Sequence, residues 1–154
     1  MTSIYMFGDQ TAEQYPLLRK VLNRRDIALL TTFLDQTSVA LREEVEALPR
    51  RQRETFPDFL SILNLVEGYY EKGLKIPQLE SCLVTIAQLS HFIGYFAENP
   101  TEFPNAMNVR LIGLCTGLLA ASVVASARSL SDLVPLAVQA VRICLLYTSP
   151  SPRD

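Results

Sequence analysis

One histidine, His91, and three scattered cysteines, Cys82, Cys115 and Cys144, are all that this 154-residue chain offers a soft metal ion. They lack the close ligand spacing of a zinc site, so no metal and no permanently bound cofactor is expected. The same cysteine usage gives no disulfide framework and points to a reducing compartment, with cytoplasmic residence as the default. The N-terminus has no basic segment followed by a long apolar stretch, so no secretory signal is expected. Charge of either sign is not in excess: 14 Lys and Arg stand against 16 Asp and Glu, for a net charge of −2 and a pI near 5.4. That balance argues against a nucleic-acid partner and against an anionic membrane surface. The one basic cluster, Arg50-Arg51-Gln52-Arg53, follows Pro49 without interleaved aromatics and reads as a solvated turn.

What the chain does have is apolar surface to bury. A hydrophobic content of 49% against 19% charged residues suits one packed domain rather than a disordered chain. Ser3 to Phe7 reads as a short strand running into a loop at Gly8-Asp9. Ile27, Leu30, Leu34, Ser38, Leu41, Val45 and Leu48 recur at helical spacing and predict a long amphipathic helix ended by Pro49. Phe59 to Tyr70 repeats that spacing, with Gly73 as the stop. Leu79 to Phe96 is apolar on nearly every face and predicts a helix buried between layers, ended by Asn99-Pro100. A loop over Thr101 to Ala106, a strand from Asn108 to Ile112 and a small-residue helix from Thr116 to Ala127 follow. Ser131 or Asp132 caps a last helix with Pro135 in its first turn. Strand, helices, strand, helix is an α/β order.

Glycine is scarce, six in all, yet two of the six flank one thiol in Gly113-Leu114-Cys115-Thr116-Gly117. A nucleophile on a sharp strand-to-helix turn needs small residues two positions to either side, where side chains would crowd the backbone. The N–H groups that open the following helix would lower the thiol's pKa and receive an oxyanion. Chemistry at Cys115 would be acyl transfer through a thioester. Two other readings stay open on the spacing alone. Cys115 could be an inert core cysteine, or the G-x-x-x-G could lie in a membrane helix over the apolar run Leu111 to Ala127, which is short for a span.

Residues 144–154, Cys144 to Asp154, coincide with one reading frame of a transposase-type sequencing-library adapter. They are expected to be an artefact, with the native sequence carried by residues 1–143; a genuine Ser/Pro tail is the alternative.

Phe7-Gly8-Asp9-Gln10-Thr11, the stretch from Leu48-Pro49-Arg50 to Phe56-Pro57-Asp58-Phe59, Gln88 to Ile93, and Gly113 to Ala121 together carry a resemblance. In that order and spacing they resemble the starter-unit acyl carrier protein transacylase domain at the N-terminus of fungal non-reducing polyketide synthases, over essentially all of residues 1–143. The resemblance implies the N-terminal part of an acyltransferase fold of the malonyl transacylase type, a hydrolase-like α/β core with a nucleophile elbow, largely helical in this stretch. It implies Cys115 as nucleophile, Gly113 and Gly117 as elbow glycines, and an oxyanion hole from the Thr116 backbone N–H and Gln10. A coenzyme A or phosphopantetheine-linked thioester would be the substrate. Acyl carrier protein domains, with acyl-CoA or a fatty acid synthase carrier as donor, would be the partners.

The chain departs from that pattern in one respect. The family pairs its cysteine with a histidine well downstream, and no histidine follows Cys115 here. His91 precedes it, within an apolar helix, and reads as a core residue rather than a base. The chain as it stands is therefore expected to be inactive or nearly so. Its lack of later core strands is expected to leave strand edges and apolar faces exposed. A cysteine hydrolase of similar architecture and a noncatalytic docking module are the competing functions.

Overall fold

The computed structural model describes residues 3–8, 15–104 and 109–148. It is mostly helical, with two short strands: β1 (Ser3–Phe7), α1 (Tyr15–Leu22), α2 (Ala28–Ala47), α3 (Arg50–Arg53), α4 (Ile62–Glu71), α5 (Pro77–Glu98), β2 (Val109–Gly113), α6 (Gly117–Ser126) and α7 (Leu130–Thr148). A 3-10 turn, Pro100–Glu102, occupies the start of the segment expected to be loop.

The strands pair in parallel from Ser3 opposite Val109 to Phe7 opposite Gly113, and the connection between them carries helices α1 to α5. Side chains alternate as a pleated strand requires. Tyr5 and Phe7 turn inward onto α5, with Tyr5 ring-to-ring distances of 5.8 Å to Phe92 and 5.7 Å to Phe96. Ile4, Met6 and Ile112 turn outward and are exposed, as are Leu114 and Leu118 just beyond β2, so an apolar face is open here.

Helix α5 is the centre of the fold. Proline at its start costs no hydrogen bond, because the first turn's N–H groups have no intrahelical acceptor. Its buried residues cover almost the whole circumference, which suits a helix packed against α1, α2, α6 and α7 at once. Leu83, Ile86, Leu89 and Ile93 are completely or almost completely enclosed. Helix α2 turns Leu30, Ser38 and Leu41 of the expected stripe inward, together with Phe33, which lies beside it. Its Ser38 hydroxyl donates to Leu34 O (2.7 Å) and accepts from Ile62 N (3.0 Å), tying α2 to the start of α4.

The α7 start differs from the expectation. Ser129, not Ser131 or Asp132, supplies the cap: its hydroxyl accepts from Asp132 N at 3.1 Å, and the helix begins at Leu130. Pro135 consequently lies inside the helix, one turn further in than a first-turn proline. Leu130–Tyr147 is long and apolar enough to cross a membrane, and Leu133, Ala137, Val141 and Cys144 within it are buried in the fold. Arg142 reaches from α7 to Glu44 on α2 (Nε to Oε1, 2.7 Å), so the two helices share an ion pair as well as apolar surface.

Candidate functional site

The run from Leu111 to Ala127 does not form one helix. Strand β2 ends at Gly113, α6 starts at Gly117, and Leu114, Cys115 and Thr116 make the turn. Leu114 N–H donates to Phe7 O at 2.9 Å, which carries the β1–β2 ladder one step past the last paired residues. Gly117 N to Leu114 O (2.9 Å), Leu118 N to Cys115 O (3.0 Å) and Leu119 N to Thr116 O (3.2 Å) then wind the chain into the helix.

Cys115 sits in this turn at φ +53°, the one positive φ at a non-glycine position among the described residues. A side chain in that left-handed region costs roughly 1–2 kcal/mol, and a conformation of that kind persists only where the surroundings fix it. The surroundings here are backbone. A Cβ on Gly113 would lie 2.5 Å from Leu118 Cα and 2.7 Å from Gly117 O; one on Gly117 would overlap Phe7 O and lie 2.6 Å from Gly8 O. Both glycines are thus required by close approach: the first lets α6 fold back over the end of β2, and the second lets it touch the end of β1. The thiol they frame is exposed, which removes the reading of an inert core cysteine. Cys82, by contrast, is buried, and burial beside Cys144, with their mutual hydrogen bond as the leading cause, raises its pKa well above the ordinary thiol range.

Thr116 follows the thiol at the N-terminal end of α6. Its backbone N–H has no acceptor among the described residues, and its hydroxyl oxygen is buried without a hydrogen-bond partner. Gln10, the other expected oxyanion donor, lies outside the described residues. The strand end just before it is held from another side: Gln88 on α5 donates its side-chain N–H to Gly8 O at 2.7 Å. Gln88 stands in one of the stretches singled out above, but no role could be read for it from a contact 80 residues distant.

His91 is one turn along α5 from Gln88. It lines an apolar cleft of about 380 Å³ with Tyr5, Phe7, Gln88, Phe92 and Phe96, and on its other side a smaller one of about 260 Å³ with Ser90 and Lys20. Cys115 is part of neither wall. Burial is the main cause that pushes the His91 pKa below its ordinary value; a hydrogen bond to the Leu17 backbone opposes this, and nearby Lys20 adds to it. An imidazole packed at the helix interface, with Nε2 buried and without a hydrogen-bond partner among the described residues, is what the structure shows at this position.

The chain matches, over residues 5–149, the family described as the starter unit:ACP transacylase in aflatoxin biosynthesis. It is 57% identical over 143 residues to non-reducing polyketide synthase 1 of Elsinoe fawcettii, covering 93% of this chain and 6% of that protein. It is 54% identical over 143 residues to the non-reducing polyketide synthase PKS1 of Zymoseptoria tritici, covering 93% of this chain and 7% of that protein. It is 49% identical over 141 residues to the non-reducing polyketide synthase Preu8 of Preussia isomera, with 92% and 6% covered. The chain therefore spans only 6–7% of the length of these curated relatives. A parallel strand pair under a helical crossover, an exposed thiol in a strand-to-helix turn, and these matches lead to one assignment: the chain belongs to the starter unit:ACP transacylase family of polyketide synthases.

Proposed function

We propose that the turn from Gly113 to Gly117 is a nucleophile elbow in the N-terminal part of an acyltransferase fold, and that Cys115 takes up a starter acyl group there. The observation that carries this reading is the exposed thiol held at a left-handed φ between two glycines that tolerate no Cβ. Strain at one exposed nucleophile is a cost that packing alone does not require.

In the first step the Cys115 sulfur bonds to the carbonyl carbon of an acyl thioester carried by coenzyme A or a carrier's phosphopantetheine. The C–O π pair moves to oxygen, and collapse of the tetrahedral adduct breaks the bond to the donor sulfur, which leaves with the proton that Cys115 gave up. In the second step the phosphopantetheine thiol of the synthase's own carrier domain attacks the acyl-cysteine and restores the Cys115 thiol. One thioester replaces another, so the site has mainly to orient thiols and to stabilise two oxyanions. The Thr116 N–H, without an acceptor among the described residues, is proposed for that role, with Gln10 as the second donor.

No histidine follows Cys115 in the sequence, and none of the described residues is seen to pair with its thiol. His91 is built into the α5 interface, so the chain is proposed to turn over slowly at best. Residues 1–143 are proposed as the partial transacylase domain, with 144–154 extraneous to it.

The test is a transfer assay with an acetyl or medium-chain acyl thioester and a holo acyl carrier domain. Acyl-carrier formation that disappears in Cys115→Ala supports the reading. Net release of free acid without the carrier would make the protein a cysteine hydrolase instead. A Cys115 that resists both acyl thioesters and thiol reagents in the folded protein would leave only a docking role.

A further inference from the structure

Gln88 stands on the face of α5 that meets the strands, one turn before His91 in the same largely apolar cleft. Its neighbours in the cleft are Tyr5, Phe7 and Phe92, and its own carbonyl oxygen is buried without a hydrogen-bond partner among the described residues. An apolar side chain at this position would leave no such oxygen unsatisfied. What the glutamine supplies is its other end, the amide N–H that donates to Gly8 O at 2.7 Å across 80 residues of sequence.

That carbonyl is no incidental acceptor. Gly8 O and Phe7 O are the two atoms against which Gly117 is pressed, so they form the surface on which α6 begins. Phe7 O is fixed by the N–H of Leu114, the residue before the thiol. Gly8 O is fixed by Gln88. The end of β1 is thus clamped by one hydrogen bond from the turn and one from the central helix, and the left-handed Cys115 follows Leu114 in the turn that ends at Gly117.

We propose that Gln88 is a positioning residue for the nucleophile: by holding Gly8 O it fixes the β1 end that braces the Leu114–Gly117 turn, and so fixes the geometry of Cys115. The residue touches neither thiol nor acyl group; it acts through Gly8 and Gly117. The catalytic part of this inference rests on the proposed acyl transfer, while the structural part can be read without it.

The experiment uses the full chain with Gln88→Met, which keeps the length of the side chain and removes the donor, and Gln88→Glu, which is isosteric and, when ionised, can only accept. Two readouts are taken. The first is hydrogen exchange at the Leu114 amide, which reports the turn whatever the chemistry. Loss of one neutral hydrogen bond is expected to speed it on the order of five-fold, with the global unfolding midpoint little changed. The second is acylation of Cys115 by acetyl-CoA, followed by intact mass as a function of concentration. The limiting rate falls by a similar factor while the half-saturating concentration stays constant. Gln88→Glu adds a signature that a merely structural residue would not: its rate relative to the unsubstituted chain recovers as pH is lowered, because a protonated carboxyl can again donate to Gly8 O. The other titratable groups lining the cleft, Tyr5, Tyr95 and His91, are common to both chains and cancel in that ratio.

Unchanged Leu114 exchange in both variants overturns the inference. If the unsubstituted chain takes no acetyl group, the acyl-transfer reading fails by itself, and the Leu114 exchange alone then decides whether Gln88 holds the turn. Should Gln88→Met not fold, the isosteric Gln88→Glu carries both readouts.

Discussion

Adding one methyl group at Gly117 is expected to be among the most damaging single substitutions in the chain. Its Cβ would overlap Phe7 O and come within 2.6 Å of Gly8 O, both backbone atoms that no rotamer change can move aside. Ordinary contact needs roughly 3.5 Å, so the β1 end must retreat from α6 by about 1 Å. Overpacking of this kind costs about 1–3 kcal/mol. The retreat also stretches the 2.9 Å bond from Leu114 N to Phe7 O, for about 1 kcal/mol more. The sum is about 2–4 kcal/mol, or a fall in the urea midpoint of roughly 1–2 M at the slope usual for small proteins. Gly68 is the internal control, because a Cβ there meets nothing nearer than Pro57 Cβ at 4.0 Å. Within α4, Gly68→Ala should stabilise by roughly 0.5–1 kcal/mol. Urea unfolding of both variants, followed by far-UV circular dichroism at low protein concentration, reads the two together. A Gly117→Ala midpoint equal to that of the unsubstituted chain would refute the close approach of α6 to β1.

The left-handed Cys115 gives the opposite sign: Cys115→Gly removes about 1–2 kcal/mol of strain against roughly 0.5–1 kcal/mol of added chain entropy, so a modest gain in urea stability is expected while acyl uptake is lost. Cys115→Ala should show no such gain. Ile93, fully enclosed on α5, should cost about 2–5 kcal/mol as Ile93→Ala, readable as a fall in the urea midpoint. Burial holds the His91 pKa below its ordinary value near 6.5, so below that pH the unfolded chain binds a proton that the folded chain does not. Stability should therefore be full above the unfolded pKa and decline as pH falls through the window beneath it, and His91→Gln should flatten that dependence in urea melts run across the same pH series.

The legible parts of the fold are those with local signals. Strand β1 falls on the expected residues, and the proline and glycine signals around α2, α4 and α5 lie within a few residues of the observed ends. Helix α1 carries only two turns of stripe, Leu18, Val21 and Leu22, too short a period to separate from a loop. The α7 cap is ambiguous in the sequence because Ser129, Ser131 and Asp132 all offer capping oxygens, and only the geometry shows that Ser129 accepts. At the turn, the need for small residues at Gly113 and Gly117 could be read from spacing, because close backbone approach leaves glycine in the sequence. The parallel pairing of Phe7 with Gly113 and the bond from Gln88 to Gly8 could not, since each joins residues about 80 or more positions apart. Nothing local marks such partners.

The most direct test of the account is to incubate the chain with an acetyl or medium-chain acyl thioester, digest it, and locate the added acyl mass. The account predicts a hydroxylamine-labile acyl group on the peptide bearing Cys115, absent from Cys115→Ala and from the buried Cys82. An acyl group that persists after Cys115→Ala, or that sits on another residue, would contradict it.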